Sequence, residues 1–253
     1  MALGHQIICT LGGGVIYRAT GLKQPVRPKS KRGAIVECSI KSRLRLKEFL
    51  LSMQVANVPE WAVTLTLHYP CSCDEFRTWF IRWRKRVERL DVGLVWRIEL
   101  QRRGVPHLHC VVWARTLADV EDICNAWLEV TGMGMDGDAR LHACMVRELT
   151  DGGWYGYLIL HNTKSKRDQL GWKGRQWGVV NRRLFSNRES QTWDLTYHQY
   201  RRIRKLLNRI YRMRGRKSEL PHLAGWQAVG EDRFTVASVV RFVLAKQGKE
   251  VQS

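Results

Sequence analysis

The sequence predicts an α+β fold, an antiparallel sheet with helices mainly on one face, followed by a basic helical C-terminal extension. Two observations predict it. Between residues 61 and 166 the apolar periodicity switches repeatedly between strand and helix spacing, in the order strand, helix, strand, strand, helix, strand, helix. Hydrophobic residues make up 44% of the 253, enough for a packed core and too many for wholesale disorder.

Taken in order, residues 1–55 read as a basic N-terminal arm and a short helix. Residues 1–35 hold Gly12, Gly13 and Gly14, then Pro25, Pro28, Lys29, Lys31 and Arg32, a composition suited to an arm or loop. Residues 42–51 interleave basic and apolar side chains at helical spacing. A central domain is expected over residues 56–180. Residues 61–68 alternate apolar and polar, as a half-buried strand does. Asp74 reads as the N-cap of a helix that sets Phe76, Trp79, Phe80, Trp83 and Val87 on one face. Residues 94–100 form a second strand, residues 102–105 a turn with Pro106 behind it, and residues 107–113 a third strand. Residues 118–130 read as a helix striped by Val120, Ile123, Cys124 and Trp127, and residues 141–149 as a fourth strand. Residues from 153 to about 166 form a further helix, with glycines that weaken it. In the basic region over 181–253, Tyr200, Ile203, Leu207 and Ile210 make a stripe expected to pack on the same domain, and residues 235–246 form an amphipathic helix through Val236, Val239, Val240 and Val243.

Charge narrows the partner. Lys and Arg number 43 against 23 Asp and Glu, a formal net of +20, with a pI near 10.2. Such an excess favours a polyanion, because neutralising phosphates releases condensed counterions. No run of about 18 apolar residues exists, which excludes a membrane span. The first residues lack the charged and apolar stretches of a signal peptide. Seven cysteines without a CxxC pair suggest reduced thiols in a cytoplasm. The phosphate-binding loop of an ATPase or helicase is missing from the sequence, and there are no internal repeats.

The sharpest local pattern is Pro106-His107-Leu108-His109-Cys110. Alternation along a strand sends His107 and His109 to one face, about 7 Å apart. If residues 102–105 close a hairpin, one natural register sets Glu99 across from His109 and Gln101 across from His107. Two imidazoles with a carboxylate or amide oxygen leave positions for water and a phosphate oxygen, a composition suited to Mn²⁺ or Mg²⁺ acting as a Lewis acid. An isolated His-x-His on a strand also serves purely structural roles, so the pair alone leaves both readings open.

Downstream, Tyr157, His161 and Lys164 fall on one helical face, whereas Tyr155 lies about 200° from Tyr157. A phenol with a reference pKa near 10 is a poor nucleophile until a cation or base favours the phenolate. Lys164 could stabilise that phenolate or a pentacoordinate phosphate. The alternative makes Tyr157 a core aromatic and Lys164 a solvated charge.

Together these segments resemble the HUH endonuclease superfamily, and within it the rolling-circle replication initiators of filamentous and other single-stranded DNA phages. The family's first motif is similar to Val63-Thr64-Leu65-Thr66-Leu67. Its second is similar to residues 96–109 with Glu99, His107 and His109, and its third to the span from Tyr157 to Lys164. The segment over 170–178 is similar to the stretch that follows the tyrosine helix in phage initiators. The resemblance covers about residues 60–180 and implies a ferredoxin- or RRM-like nuclease fold. It further implies a cation held by Glu99, His107 and His109, and attack by Tyr157 to leave a 5′-phosphotyrosyl link and a free 3′-hydroxyl. Two departures stand out: Leu160 occupies the position where related initiators often carry lysine, and His161 the position where many carry a second tyrosine. A single-tyrosine enzyme follows unless Tyr155 substitutes.

The implied partners are single-stranded and origin duplex DNA, a host helicase and a host DNA polymerase, in the cytoplasm of a bacterial cell. Candidate DNA contacts are Arg102, Arg103, Lys173, Arg175, Arg182, Arg183, Arg201, Arg202, Lys205 and Arg209. Competing readings keep the chemistry in a plasmid initiator, a mobilisation relaxase or a single-tyrosine transposase. A further one discards it for a non-catalytic nucleic-acid-binding module with an RRM-like sheet.

Overall fold

A computed structural model describes residues 4–10, 14–20, 39–101, 103–149, 154, 158, 174–214, 227–229 and 232–250. The chain begins with strands β1 (Gly4–Thr10) and β2 (Gly14–Thr20), helix α1 (Ile40–Ser52) and the short strand β3 (Met53–Gln54). Strand β4 (Glu60–Thr66), helix α2 (Cys73–Val87), the pair β5 (Gly93–Leu100) and β6 (Pro106–Trp113), and helix α3 (Leu117–Thr131) follow. Next come α4 (Gly137–Ala143), β7 (Cys144–Glu148), β8 (Trp177–Val180), β9 (Ser186–Asn187) and β10 (Ser190–Leu195). Helix α5 (Tyr197–Met213), strand β11 (Gln227–Val229) and helix α6 (Asp232–Glu250) complete the described chain. No helix among the described residues is long and apolar enough to cross a membrane.

The molecule divides into two compact units, one of residues 31–46 and 53–187, the other of residues 1–30, 47–52 and 188–253. The first, here the central unit, is built on a sheet of order β7-β4-β6-β5-β8 in which every pairing is antiparallel. Val63, Leu65, Leu94, Trp96, Ile98, Leu108, Cys110 and Val112 belong to one core cluster with Phe76, Phe80 and Trp83 of α2 and Ile123 and Trp127 of α3. Period-two alternation puts those strand residues on a single face, so α2 and α3 cover that face. Ridge contacts between the two helices are aromatic: Trp83 meets Trp127 edge-on at 6.1 Å, and its indole N–H donates to the Ile123 carbonyl at 3.2 Å. The α+β architecture with antiparallel strands is therefore as the sequence predicts.

The second unit, the terminal unit, has its own sheet of order β10-β1-β2-β11. Ile7, Val15, Tyr17 and Leu195 from its strands share a core with Tyr200, Ile203, Leu207 and Tyr211 of α5 and Val236, Val239, Val240 and Val243 of α6. The helical stripes of both segments appear as expected, with Tyr211 buried where Ile210 was expected and Ile210 only partly covered.

Three local expectations are corrected. Within residues 1–35, expected as an arm or loop, Gly4–Thr10 and Gly14–Thr20 are strands paired to each other, and the first also pairs with β10 near the other end of the chain. That partner lies some 185 residues away and leaves no local signature. The helix expected to be capped by Asp74 is capped by Ser72, whose hydroxyl accepts from the Glu75 N–H at 3.2 Å while the Glu75 carboxylate accepts from the Ser72 N–H at 2.8 Å. This reciprocal pair satisfies two otherwise orphaned donors, which Asp74 in the first turn does not. Residues 141–149, expected as one strand, split: α4 runs to Ala143 and the strand begins at Cys144. Ala139, Arg140 and Leu141 are strong helix formers, and that propensity prevails over the short alternation.

Candidate metal centre

The face of the sheet away from α2 and α3 carries Thr64 on β4, Arg97 and Glu99 on β5, and His107 and His109 on β6. Register brings them together: His109 lies between Thr64 and Arg97, and His107 between Thr66 and Glu99. The hairpin differs by two residues from the expected register, so Glu99 pairs with His107 and Arg97 with His109. Its connection explains the difference. Gln101 N–H donates to the Val105 carbonyl and Gly104 N–H to the Gln101 carbonyl, both at 2.9 Å. Gly104 has φ of +79°. These are the marks of a three-residue hairpin loop closed by a left-handed glycine. A shift of two keeps side chains on the same face, so the convergence of Glu99 with the histidines survives.

The ligand atoms of Glu99, His107 and His109 all lie within 4.8 Å of one another. The His109 Nε2 stands 3.1 Å from the Glu99 Oε2, with the two side chains only 4% and 10% exposed. The two imidazoles meet edge-on with centroids 4.3 Å apart. On its other side His109 Nδ1 is 3.2 Å from the Thr64 hydroxyl. When Nδ1–H donates to Thr64, Nε2 presents its lone pair toward Glu99, the tautomer a metal ligand requires. The Gln101 amide engages His107 Nδ1 at 3.2 Å, and Arg103 Nε donates to the same Gln101 at 2.5 Å. Two borderline nitrogen donors and one hard carboxylate, nearly withdrawn from water, make a donor set that can hold a divalent cation.

Two residues of the segment after β7 are described, and both sit at this face. Trp154 and Leu158 have helical backbone. The Trp154 ring packs edge-on to His109 at 5.7 Å, and its indole N–H donates to the Cys110 carbonyl at 3.1 Å. Leu158 is buried, and its carbonyl accepts from the guanidinium of the buried Arg97. Tyr155, Tyr157, His161 and Lys164 lie outside the described residues.

Among the expected DNA contacts, Arg102 and Lys173 also lie outside the described residues. Arg103 is exposed, yet its fork donates to the Leu67 and His68 carbonyls at 2.6 and 3.0 Å, tying the hairpin loop to the end of β4. Arg175, Arg182 and Arg183 are in the central unit, Arg182 and Arg183 exposed and Arg175 at its surface. Arg201, Lys205 and Arg209 are exposed on α5, with Arg202 partly covered. Thr64, Arg97 and Trp154 escaped sequence reasoning as site residues. For the first two, strand parity held the signal: Arg97 shares the face of Glu99, and Thr64 belongs to the threonine-bearing alternation. For Trp154 there was no sequence signal.

Comparison with known proteins bears on this geometry. The profile of the replication-associated protein family that takes its name from ORF2 matches residues 60–170, which include every ligand of the cluster. The replication-associated protein of Pseudomonas phage Pf3 is 30% identical over 199 residues, 71% of this chain and 70% of the phage protein. A protein of Xylella fastidiosa strain 9a5c, named as a replication protein, is 31% identical over 169 residues, 59% of this chain. A second, from strain Temecula1, is 34% identical over 137 residues, 47% of this chain. The matches span 58% and 50% of those two Xylella proteins. No solved structure matches the chain.

Proposed function

The chain belongs to this ORF2-type family of replication-associated proteins, and from that premise we propose that it is a nicking and rejoining enzyme of the HUH type. In this reading it opens one strand of origin DNA to start rolling-circle replication and closes the circle at its end. The observation that carries the proposal is the Glu99, His107 and His109 cluster, three ligand atoms within 4.8 Å on one sheet face.

A divalent cation bound there, Mn²⁺ or Mg²⁺, would supply Lewis-acid polarisation of the scissile phosphate. Thr64 and Gln101 orient the two imidazoles from behind. Tyr157 is the nucleophile: its oxygen bonds to phosphorus as the bond from phosphorus to the 3′-oxygen breaks. The phenol gives up its proton and the departing 3′-oxygen gains one. Lys164 stabilises the phenolate or the charge gathering on phosphate. The docking of Trp154 and Leu158, three residues before Tyr157 and one after it, on the face of the cluster supports this assignment. The ester preserves the phosphodiester's free energy, so rejoining by the reverse attack needs no ATP. Activity is assigned to residues 56–180, with the arginines and lysines named above as DNA contacts and a host helicase and polymerase for unwinding and synthesis.

The test is covalent capture. Full-length protein mixed with labelled single-stranded origin DNA and Mn²⁺ should give an adduct on a denaturing gel, absent with EDTA and in Tyr157→Phe. An adduct that survives in Tyr157→Phe moves the nucleophile, with Tyr155 next. Tight binding with no cleavage across origin sequences and metals would replace the enzyme by a binding module.

A further inference from the structure

The terminal unit carries the larger share of the chain's net positive charge in the smaller share of its residues. Nineteen Lys and Arg stand against seven Asp and Glu over residues 1–30, 47–52 and 188–253. Helix α5 concentrates them. No acidic residue occurs between Tyr197 and Lys217. Tyr200, Ile203, Leu207 and Tyr211 turn into the unit's own core. At about 100° per residue, Arg201, Arg202, Lys205, Arg209 and Arg212 fall within an arc of roughly 100° opposite that stripe, along about 16 Å of axis. Arg201, Lys205, Arg209 and Arg212 are exposed. Among the described residues no ion pair engages any of the five, and Arg201 is held only over the Tyr197 ring, 5.7 Å from its centroid.

We propose that α5 lies in the major groove of duplex DNA, making the terminal unit a double-strand-binding module separate from the single-strand chemistry at Glu99, His107 and His109. A helix about 10–12 Å across fits a groove about 12 Å wide. Seated there, Arg202 and Arg209 on one edge of the arc reach one phosphate wall, Arg201 and Arg212 reach the other, and Lys205 faces the floor. Single-strand sites join a basic groove to exposed aromatic platforms on which bases stack. The arc has none, and the one exposed ring at its margin, Tyr197, is covered by Arg201. Five cations with no acidic neighbour, on a rigid helix fixed by its own core, suit the regular phosphate rows of a duplex instead.

The inference stands apart from the nickase reading, and its test is run in EDTA so that cleavage contributes nothing. Full-length protein is titrated by fluorescence anisotropy against a labelled duplex and the matching single strand over a range of salt. Replacing Arg201, Lys205 and Arg209 together by Gln should lower duplex affinity at least tenfold at physiological salt. The slope of log K against log salt should shrink by about 2.7, roughly 0.9 for each lost phosphate contact. Single-strand affinity should change less than about threefold. Arg201→Lys with Arg209→Lys, which keeps the charge, should retain the slope, and this pair guards against a merely misfolded triple variant. A duplex affinity unmoved by the triple change, or a loss no greater on duplex than on single strand, overturns the proposal.

Discussion

Thr64 gives His109 a partner on one side of its ring and so leaves the other nitrogen facing Glu99. Thr64→Val keeps shape and removes the hydroxyl. Losing an outer partner of this kind weakens metal affinity about 10- to 100-fold, and Mn²⁺ titration by calorimetry should show that loss; unaltered affinity would remove Thr64 from the site. In the terminal unit, His5 stacks 4.7 Å from Tyr200, shares a hydrogen bond with the Tyr17 hydroxyl at 2.5 Å, and faces Tyr197 at 5.6 Å. Burial lowers its pKa below the ordinary 6.5. The unfolded chain then takes up this proton at a higher pH than the folded one, so stability is retained above about 6.5 and declines as pH falls below it, until the folded group also titrates. Urea unfolding from pH 7.5 to 5 should show that decline, flattened in His5→Phe. An equal decline in both proteins would assign the effect to other groups.

At the scale of elements, the hairpin β5–β6 decides which groups meet. Gly104 sits at φ of +79° with nothing within 4 Å of a would-be Cβ, so Gly104→Ala meets backbone strain rather than a clash. The cost should be about 1–2 kcal/mol in urea unfolding, with weaker Mn²⁺ binding because the loop sets the phase of Glu99 against His107. Wild-type stability in that variant would mean the loop adopts another turn without penalty. The strand faces were legible in sequence because period two is a local property: His107 and His109 share a face whatever lies beside them. Which residue lies opposite which was not, since a loop of three or five residues satisfies the same alternation. Helix limits were legible where a cap and an apolar stripe agreed, as in α3, and failed where a short helix abutted a strand, as at Ala143 and Cys144.

At the scale of the molecule, two cores imply two responses to ligand. A cation that binds only the folded central unit stabilises it by about 2.7 kcal/mol at one hundred times its Kd, several degrees in melting temperature for a unit of this size. Calorimetry with Mn²⁺ should raise one transition, with EDTA reversing the shift and Glu99→Gln abolishing it. A shift that persists in Glu99→Gln would place the cation elsewhere. The sequence by itself determined the α+β class, the faces of its strands and helices, the positive charge and the three candidate ligands, because each is written in spacing or composition over a few residues. Only the tertiary structure decided that Glu99 opposes His107, that Thr64, Arg97 and Trp154 join the face, and that the two ends of the chain fold into one unit. Those depend on pairings between distant segments, where burial and the hydrogen bonds of a shared sheet choose among registers that local pattern leaves equivalent.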